Sequence, residues 1–111
     1  GRAICEFRAG NVRLARECME RATQLAPEDT LLWLTWSQIE EREQNYDRAR
    51  YCIRRGLRAA KNDGDGAAPL WQSWAQMEQK LRDIPAAMRV YSAATRALPR
   101  DARLWREWGK L

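Results

Sequence analysis

Tryptophan pairs recur along this chain at one spacing, and they constrain its fold more than any other feature of the sequence. The W-x-x-W pairs are Trp33/Trp36, Trp71/Trp74 and Trp105/Trp108, which follow one another after 38 and then 34 residues. Self-similarity at a period of roughly 34 to 47 residues is typical of repeats built from pairs of helices. The spacing therefore predicts an all-α fold, an α-solenoid in which antiparallel helix pairs stack into a superhelix.

Other positions fall into register when the tryptophans are aligned. The equivalent sets are Glu6, Glu40 and Glu78; Asn11, Asn45 and Asp83; and Ala15, Ala49 and Ala87. The extra four residues of the middle unit fall in the Gly-rich segment 61–69, KNDGDGAAP. Stacked helical repeats tolerate a length change that is confined to one loop.

This register predicts how the chain is divided. We expect a partial repeat over residues 1–27, a full repeat over 28–61, a repeat with a lengthened loop over 62–99, and the first helix of a further repeat over 100–111. Because both ends fall inside helical patterns, we expect the chain to be a fragment of a longer array.

Apolar residues within each unit recur with helical spacing. Leu32, Trp36 and Ile39 form one apolar stripe, and the same stripe returns in the later units. The predicted helices lie near residues 2–9, 11–25, 29–43, 45–60, 69–81, 83–97 and 101–111. The side chains expected to accept an N-terminal capping hydrogen bond are those of Asn11, Asp29, Asn45, Asp83 and Asp101.

The composition argues against catalysis. The chain has no histidine, which removes the most common general base and metal ligand, and its three cysteines are scattered without a C-x-x-C motif. We therefore predict no enzyme activity, no metal site and no cofactor. The sequence also lacks a run of roughly 18 apolar residues, so no membrane span is expected. Its net charge of +5, carried by 17 arginines and 3 lysines, suits an anionic partner.

At this point the residues resemble a known family. The pattern LW-x-x-W-x-x-x-E followed by AR-x-x-x-x-x-A/G and a proline is similar to the HAT (half-a-tetratricopeptide) repeat. It is carried by Leu32, Trp33, Trp36, Glu40, Ala49, Arg50 and Gly56, and again by Leu70, Trp71, Trp74, Glu78, Ala87, Ala94 and Pro99. Met88 departs from the pattern where arginine is usual, and Lys61 departs where Pro27 and Pro99 stand.

The resemblance implies a role in RNA processing. Dense W-x-x-W units most resemble the plastid HAT proteins, which implies binding of single-stranded organelle messenger RNA, protection of that message and a chloroplast location. The alternative that the family implies is a protein-interaction scaffold in a nuclear splicing, 3′-end cleavage or ribosomal-RNA complex. Other RNA-processing proteins are expected as partners in either case, and homo-oligomers occur among HAT proteins.

Cations at equivalent positions of successive first helices form the leading candidate RNA site. Arg8, Arg42 and Lys80 are in register, Lys110 continues the series, and Gln38 and Gln76 share the same flank. Such cations would meet phosphates while the amides read base edges. The alternative is a solvated face with cations near helix C-termini.

A second candidate surface is the arginine-rich helix that follows Asn45. Its basic residues are Arg48, Arg50, Arg54, Arg55, Arg58 and Lys61. They could face phosphates. The alternative, which the acidic residues of the preceding helix favour, is ion pairing between adjacent helices, with some of the arginines solvated.

The tryptophans and the registered glutamates are predicted to be structural. Trp36, Trp74 and Trp108 should lie in the core, with Trp33, Trp71 and Trp105 at its edge; base stacking is the alternative. Glu40 is expected to pair with Arg50, and Glu6 with Arg16, between the two helices of one unit. Glu78 is expected to lack such a partner because Met88 occupies that position.

Overall fold

The computed structural model describes residues 12–61 and 66–111. These residues form six helices: α1 (Val12–Leu25), α2 (Thr30–Arg42), α3 (Tyr46–Ala59), α4 (Ala67–Lys80), α5 (Ile84–Ala97) and α6 (Ala102–Gly109). No strand occurs in this part of the chain. The all-α prediction is confirmed, and each of these helices begins and ends within two residues of its predicted bounds. The helix predicted near residues 2–9, with Glu6, Arg8 and Asn11, lies outside the described residues.

Consecutive helices pack against one another along the whole array. The Trp-bearing helices α2 and α4 also contact each other directly, whereas the second helices α1, α3 and α5 make few contacts among themselves. The Trp-bearing helices therefore form one layer of the array, which we call its inner side, and the second helices form the other layer, which we call its outer side. This is the layered arrangement of an α-solenoid of helix pairs.

Two clusters of buried side chains run through the array. The first surrounds Trp33, Trp36 and Cys52, and the second extends from Ile53 to Leu104. Small residues recur where helices approach closely. Ala15, Ala49 and Ala87 are fully buried, in agreement with their predicted structural role, and Gly56 is buried on α3.

Aspartates cap the helices as the sequence predicts. The side chains of Asp29 and Asp101 accept hydrogen bonds from the backbone N–H groups of Leu31 and Arg103, at 3.1 and 3.0 Å. Asp83 accepts one from Ala86 in the same way.

The capping prediction is wrong for Asn45. This residue precedes α3 but makes no side-chain capping bond. Its amide instead donates to Glu40 Oε1 at 3.2 Å, because a buried carboxylate needs that donor more than an exposed helix end does.

A substitution at Gly56 can test the close contact between α3 and the Trp-bearing helices. A Cβ added there would lie 2.9 Å from Leu70 Cδ1 and 2.9 Å from Trp33 Cβ. We expect Gly56→Ala to lower the free energy of unfolding by about 1–3 kcal/mol, because the crowded backbone must move. Urea denaturation followed by far-UV circular dichroism measures this loss. Gly109→Ala is the matched control, since a Cβ there meets no atom within 4 Å. A Gly56→Ala chain as stable as the control would contradict the close packing.

Candidate functional site

A carboxylate is buried where the first two described units meet. The Glu40 side chain has no solvent exposure, and Arg16 on α1 holds it with a forked contact. Arg16 Nε lies 3.0 Å from both carboxylate oxygens, and its Nη2 lies 2.9 Å from Oε1. Trp36 Nε1 donates to Oε2 at 3.1 Å. With the Asn45 amide, these donors satisfy both oxygens. We call this group of arginine, glutamate and tryptophan a clasp.

A second clasp repeats the arrangement one unit later. Arg50 on α3 places Nε 2.8 Å from Glu78 Oε2 and Nη2 2.9 Å from Oε1. Trp74 Nε1 donates to Oε2 at 3.1 Å. The second helix of each unit is thus tied to the Trp-bearing helix of the next unit.

The predicted pairing of these glutamates is wrong in one respect. Glu40 pairs with Arg16 and not with Arg50, and Glu78 does have an arginine partner. The ion pairs cross between units because each second helix packs on the following Trp-bearing helix. Met88 therefore does not deprive Glu78 of its ion pair, because the arginine that holds Glu78 belongs to the preceding unit. The other predicted pair, Glu6 with Arg16, involves Glu6, which lies outside the described residues.

Charge is stabilised inside the second clasp. The hydrogen bond from Arg50 lowers the pKa of Glu78 below its ordinary value, although burial opposes the shift. For the Cys52 thiol, burial is the main cause of the shift and raises the pKa to about 12. Cys52 is thus a protonated, unreactive core residue, in accord with the absence of a predicted redox role.

The lowered pKa of Glu78 predicts how stability depends on pH. Its stabilising effect is complete above the ordinary glutamate pKa and is lost as pH falls through the lower pKa of the folded state. We expect Glu78→Gln to lower the free energy of unfolding by about 1–3 kcal/mol near neutral pH. The difference from the unaltered chain should shrink below about pH 4. Urea titrations across that range measure it.

Asp47→Asn provides the control, because Asp47 contacts the same Arg50 from a fully exposed position. We expect little change in stability from this substitution. Equal losses for Asp47→Asn and Glu78→Gln would contradict the role assigned to burial.

The burial of the tryptophans differs from the prediction in both directions. Trp33 and Trp71, expected at the edge, are 4% and 6% exposed, as little as Trp36. Helix α3 covers Trp33, as its contact with Gly56 shows. Trp74 and Trp108, expected in the core, are only partly buried against it, and Trp105 is 48% exposed on the last helix.

Each tryptophan pair is stacked within its own helix. The ring centroids lie 5.8, 5.9 and 5.7 Å apart along the array. Trp33 Nε1 and Trp105 Nε1 also donate to the carbonyl oxygens of Pro27 and Pro99, both at 2.9 Å. In the first two pairs most indole surface is therefore already engaged, which leaves little for stacking on bases, whereas Trp105 keeps about half of its surface exposed.

Three predicted RNA-binding residues meet in one groove on the inner side of the array. Gln38 on α2 and Gln76 and Lys80 on α4 line a cavity of about 330 Å³, with Glu41 and Ser73 beside them. Lys80 Nζ lies 3.9 Å from Glu41 Oε1, so its charge is partly compensated. This inner groove is rich in amides and carries little net charge.

The other described residues of the predicted stripe, Arg42 and Lys110, do not line this groove. Lys110 Nζ lies 3.2 Å from Glu107 Oε1 on its own helix. Arg42 is exposed to solvent, but it is not without an interaction partner. Arg8 lies outside the described residues. The stripe as a whole stays a prediction.

The outer side of α3 carries a different kind of surface. Its exposed residues are Arg48, Tyr51, Arg54, Arg55 and Arg58, which we call the α3 ridge. Arg55 lies over the Trp33 ring at 5.3 Å, and Arg54 lies over the Trp74 ring at 5.7 Å. Among the described residues, no carboxylate forms an ion pair with these four arginines.

The structure therefore corrects the favoured interpretation of this helix. Pairing with the acidic residues of α2 was expected, but among the described residues Arg50 is the one α3 arginine with ion pairs, and its partners are Asp47 and Glu78 of α4. The other arginines of α3 are exposed to solvent, as the same interpretation allowed for some of them. Sequence reasoning overlooked Tyr51. Its position three residues after Arg48 and seven before Arg58 was the available signal, because these spacings share one helix face.

Neither a metal centre nor a membrane helix is found in the described parts of the chain. No three His, Cys, Asp or Glu side chains within residues 12–61 and 66–111 are grouped so that they could hold a metal ion. Every helix in those ranges is too short or too polar to cross a bilayer. The features that remain are clasps, a groove and a charged ridge, which together define a helical-repeat scaffold.

Comparison with known proteins agrees with this class. Residues 68–111 match the model of the tetratricopeptide repeat family. Pre-mRNA-splicing factor 6 of Saccharomyces cerevisiae is 35% identical over 103 residues, which cover 92% of this chain and 11% of that protein. Pre-mRNA-splicing factor CLF1 of Yarrowia lipolytica is 26% identical over 110 residues, which cover 96% of this chain and 16% of that protein. These matches and the helical fold identify the chain as an array of tetratricopeptide-like repeats of the HAT type.

Proposed function

We propose that this chain is part of a protein-interaction scaffold in a nuclear pre-mRNA splicing assembly. The observation that carries the proposal is its similarity, over nearly its whole length, to two proteins named as pre-mRNA-splicing factors. The chain spans only about a tenth and a sixth of those relatives, so this role refers to the longer protein to which such an array would belong.

The scaffold hypothesis replaces the first expectation of an organelle RNA-binding factor. The two relatives favour a nuclear location over the chloroplast. The inner groove supports the same preference, because Glu41 partly compensates the charge of Lys80 there. Amides such as Gln38 and Gln76 supply both donors and acceptors, which suit the backbone of a partner polypeptide.

Depletion and rescue in nuclear extract test this role. We expect removal of the full-length protein to reduce splicing of a reporter pre-mRNA, and the unaltered protein to restore it. Gln38→Ala/Gln76→Ala should restore less splicing, because it removes the paired amides from the inner groove. Gel analysis of spliced and unspliced RNA gives the measurement. Arg96→Ala/Arg103→Ala is the control, since both residues are exposed outside the groove.

Unchanged splicing after depletion would refute the proposed role. Direct RNA contact is a separate outcome, measured by titrating the chain with a single-stranded RNA pool at two salt concentrations. Binding that weakens with salt and with Arg42→Ala/Lys80→Ala would favour the RNA hypothesis instead. Analytical ultracentrifugation of the same samples would show whether copies associate, which stays a prediction.

A further inference from the structure

The α3 ridge concentrates positive charge that no carboxylate among residues 12–61 and 66–111 balances with an ion pair. Arg48 and Arg55 lie two helical turns apart on one edge, Arg54 and Arg58 lie one turn apart on the other, and Tyr51 stands between them. Like charges at such spacings repel one another and destabilise an isolated helix. An anionic partner would relieve this repulsion.

The ridge is distinguished by the clustering, on one face of a single helix, of four exposed arginines that no described carboxylate pairs with. Arg16 and Arg50 are held in the clasps, and Lys80 and Lys110 lie near Glu41 and Glu107. The ridge arginines make no such contact with any described residue. Their guanidinium groups therefore keep their capacity for forked binding of carboxylate or phosphate.

Two of these arginines are positioned before any partner arrives. Arg55 lies over Trp33, and Arg54 lies over Trp74, both tryptophans being fixed by stacking within their own helices. A guanidinium that lies over an indole retains N–H groups at its edge for an anion. Such prior ordering reduces the entropy lost on binding.

The surroundings of the ridge favour a polypeptide over a nucleic acid. Arg48, Tyr51 and Arg55 line a cavity of about 580 Å³ between α3 and α1, and Glu20, Thr23 and Gln24 form its other wall. A continuous phosphate backbone would meet the negative charge of Glu20. A peptide can instead place carboxylates on the arginines and backbone groups near Thr23 and Gln24. The neighbouring indoles are stacked on one another, so they offer no free platform for bases.

We propose that the α3 ridge is a docking site for an acidic segment of a partner protein. The segment would place Asp or Glu carboxylates on Arg48, Arg55 and Arg58, and an apolar side chain against Tyr51. This inference rests on the proposed function only in taking the partner to be a protein. Its site lies on the opposite side of the array from the inner groove.

Fluorescence anisotropy with a labelled glutamate-rich peptide tests the ridge directly. We expect binding that weakens as salt is raised, and at least about tenfold weaker binding by Arg48→Gln/Arg55→Gln/Arg58→Gln. The matched control is Arg13→Gln/Arg21→Gln/Arg96→Gln, which removes the same charge from exposed positions outside the ridge. It should bind almost as well as the unaltered chain. Circular dichroism confirms that each variant is folded.

Two further arms make the result decisive. Arg48→Lys/Arg55→Lys/Arg58→Lys keeps the charge but not the fork, so its affinity should fall between those of the unaltered chain and the glutamine variant. A peptide with glutamine in place of glutamate should not bind. Equal loss in the ridge and control variants, or oligouridylate binding more tightly than the peptide through the same arginines, would overturn the proposal. Neither result depends on the splicing assay, so failure here leaves the scaffold role standing.

Discussion

The buried carboxylate is the interaction on which the array depends. An ionised glutamate inside a protein is costly unless charged and neutral donors occupy its oxygens. Glu40 and Glu78 meet this requirement only when two units are correctly stacked, because the arginine comes from one unit and the tryptophan from the next. Removing the arginine would leave the buried carboxylate charge unbalanced, and removing the tryptophan would leave one carboxylate oxygen without a donor. The clasp is therefore complete only in the register in which one unit supplies the arginine and the next supplies the glutamate and tryptophan.

Tryptophan suits this role because it has both a large apolar surface and one donor. The first indole of a pair stacks on the second, and the second donates to the glutamate four residues later. One motif thus builds the core and orients the carboxylate. A phenylalanine at Trp36 would keep much of the packing but lose the bond to Glu40.

Short-range signals in the sequence predicted much of this structure, but they did not predict the contacts between units. The helices, the caps at Asp29, Asp83 and Asp101, and the buried alanines follow from short-range spacing. The partner of Glu40 depends on how successive units stack, which periodicity alone does not specify. Asn45 was misassigned for the same reason, since its competing acceptor is a buried carboxylate. The state of the α3 arginines likewise depends on three-dimensional distance: acidic residues close in sequence on α2 point elsewhere.

The clasps and the two sides of the array together define how such a chain can bind. The inner groove presents amides with nearly balanced charge, whereas the α3 ridge presents arginines that no described carboxylate pairs with. These surfaces suit chemically different segments, so one unit can hold two of them without competition. Because the clasps fix the units relative to one another, binding at one surface leaves the other in place. Two weak contacts joined in one partner would then act with a high effective concentration, which is how a short array contributes affinity within a large assembly.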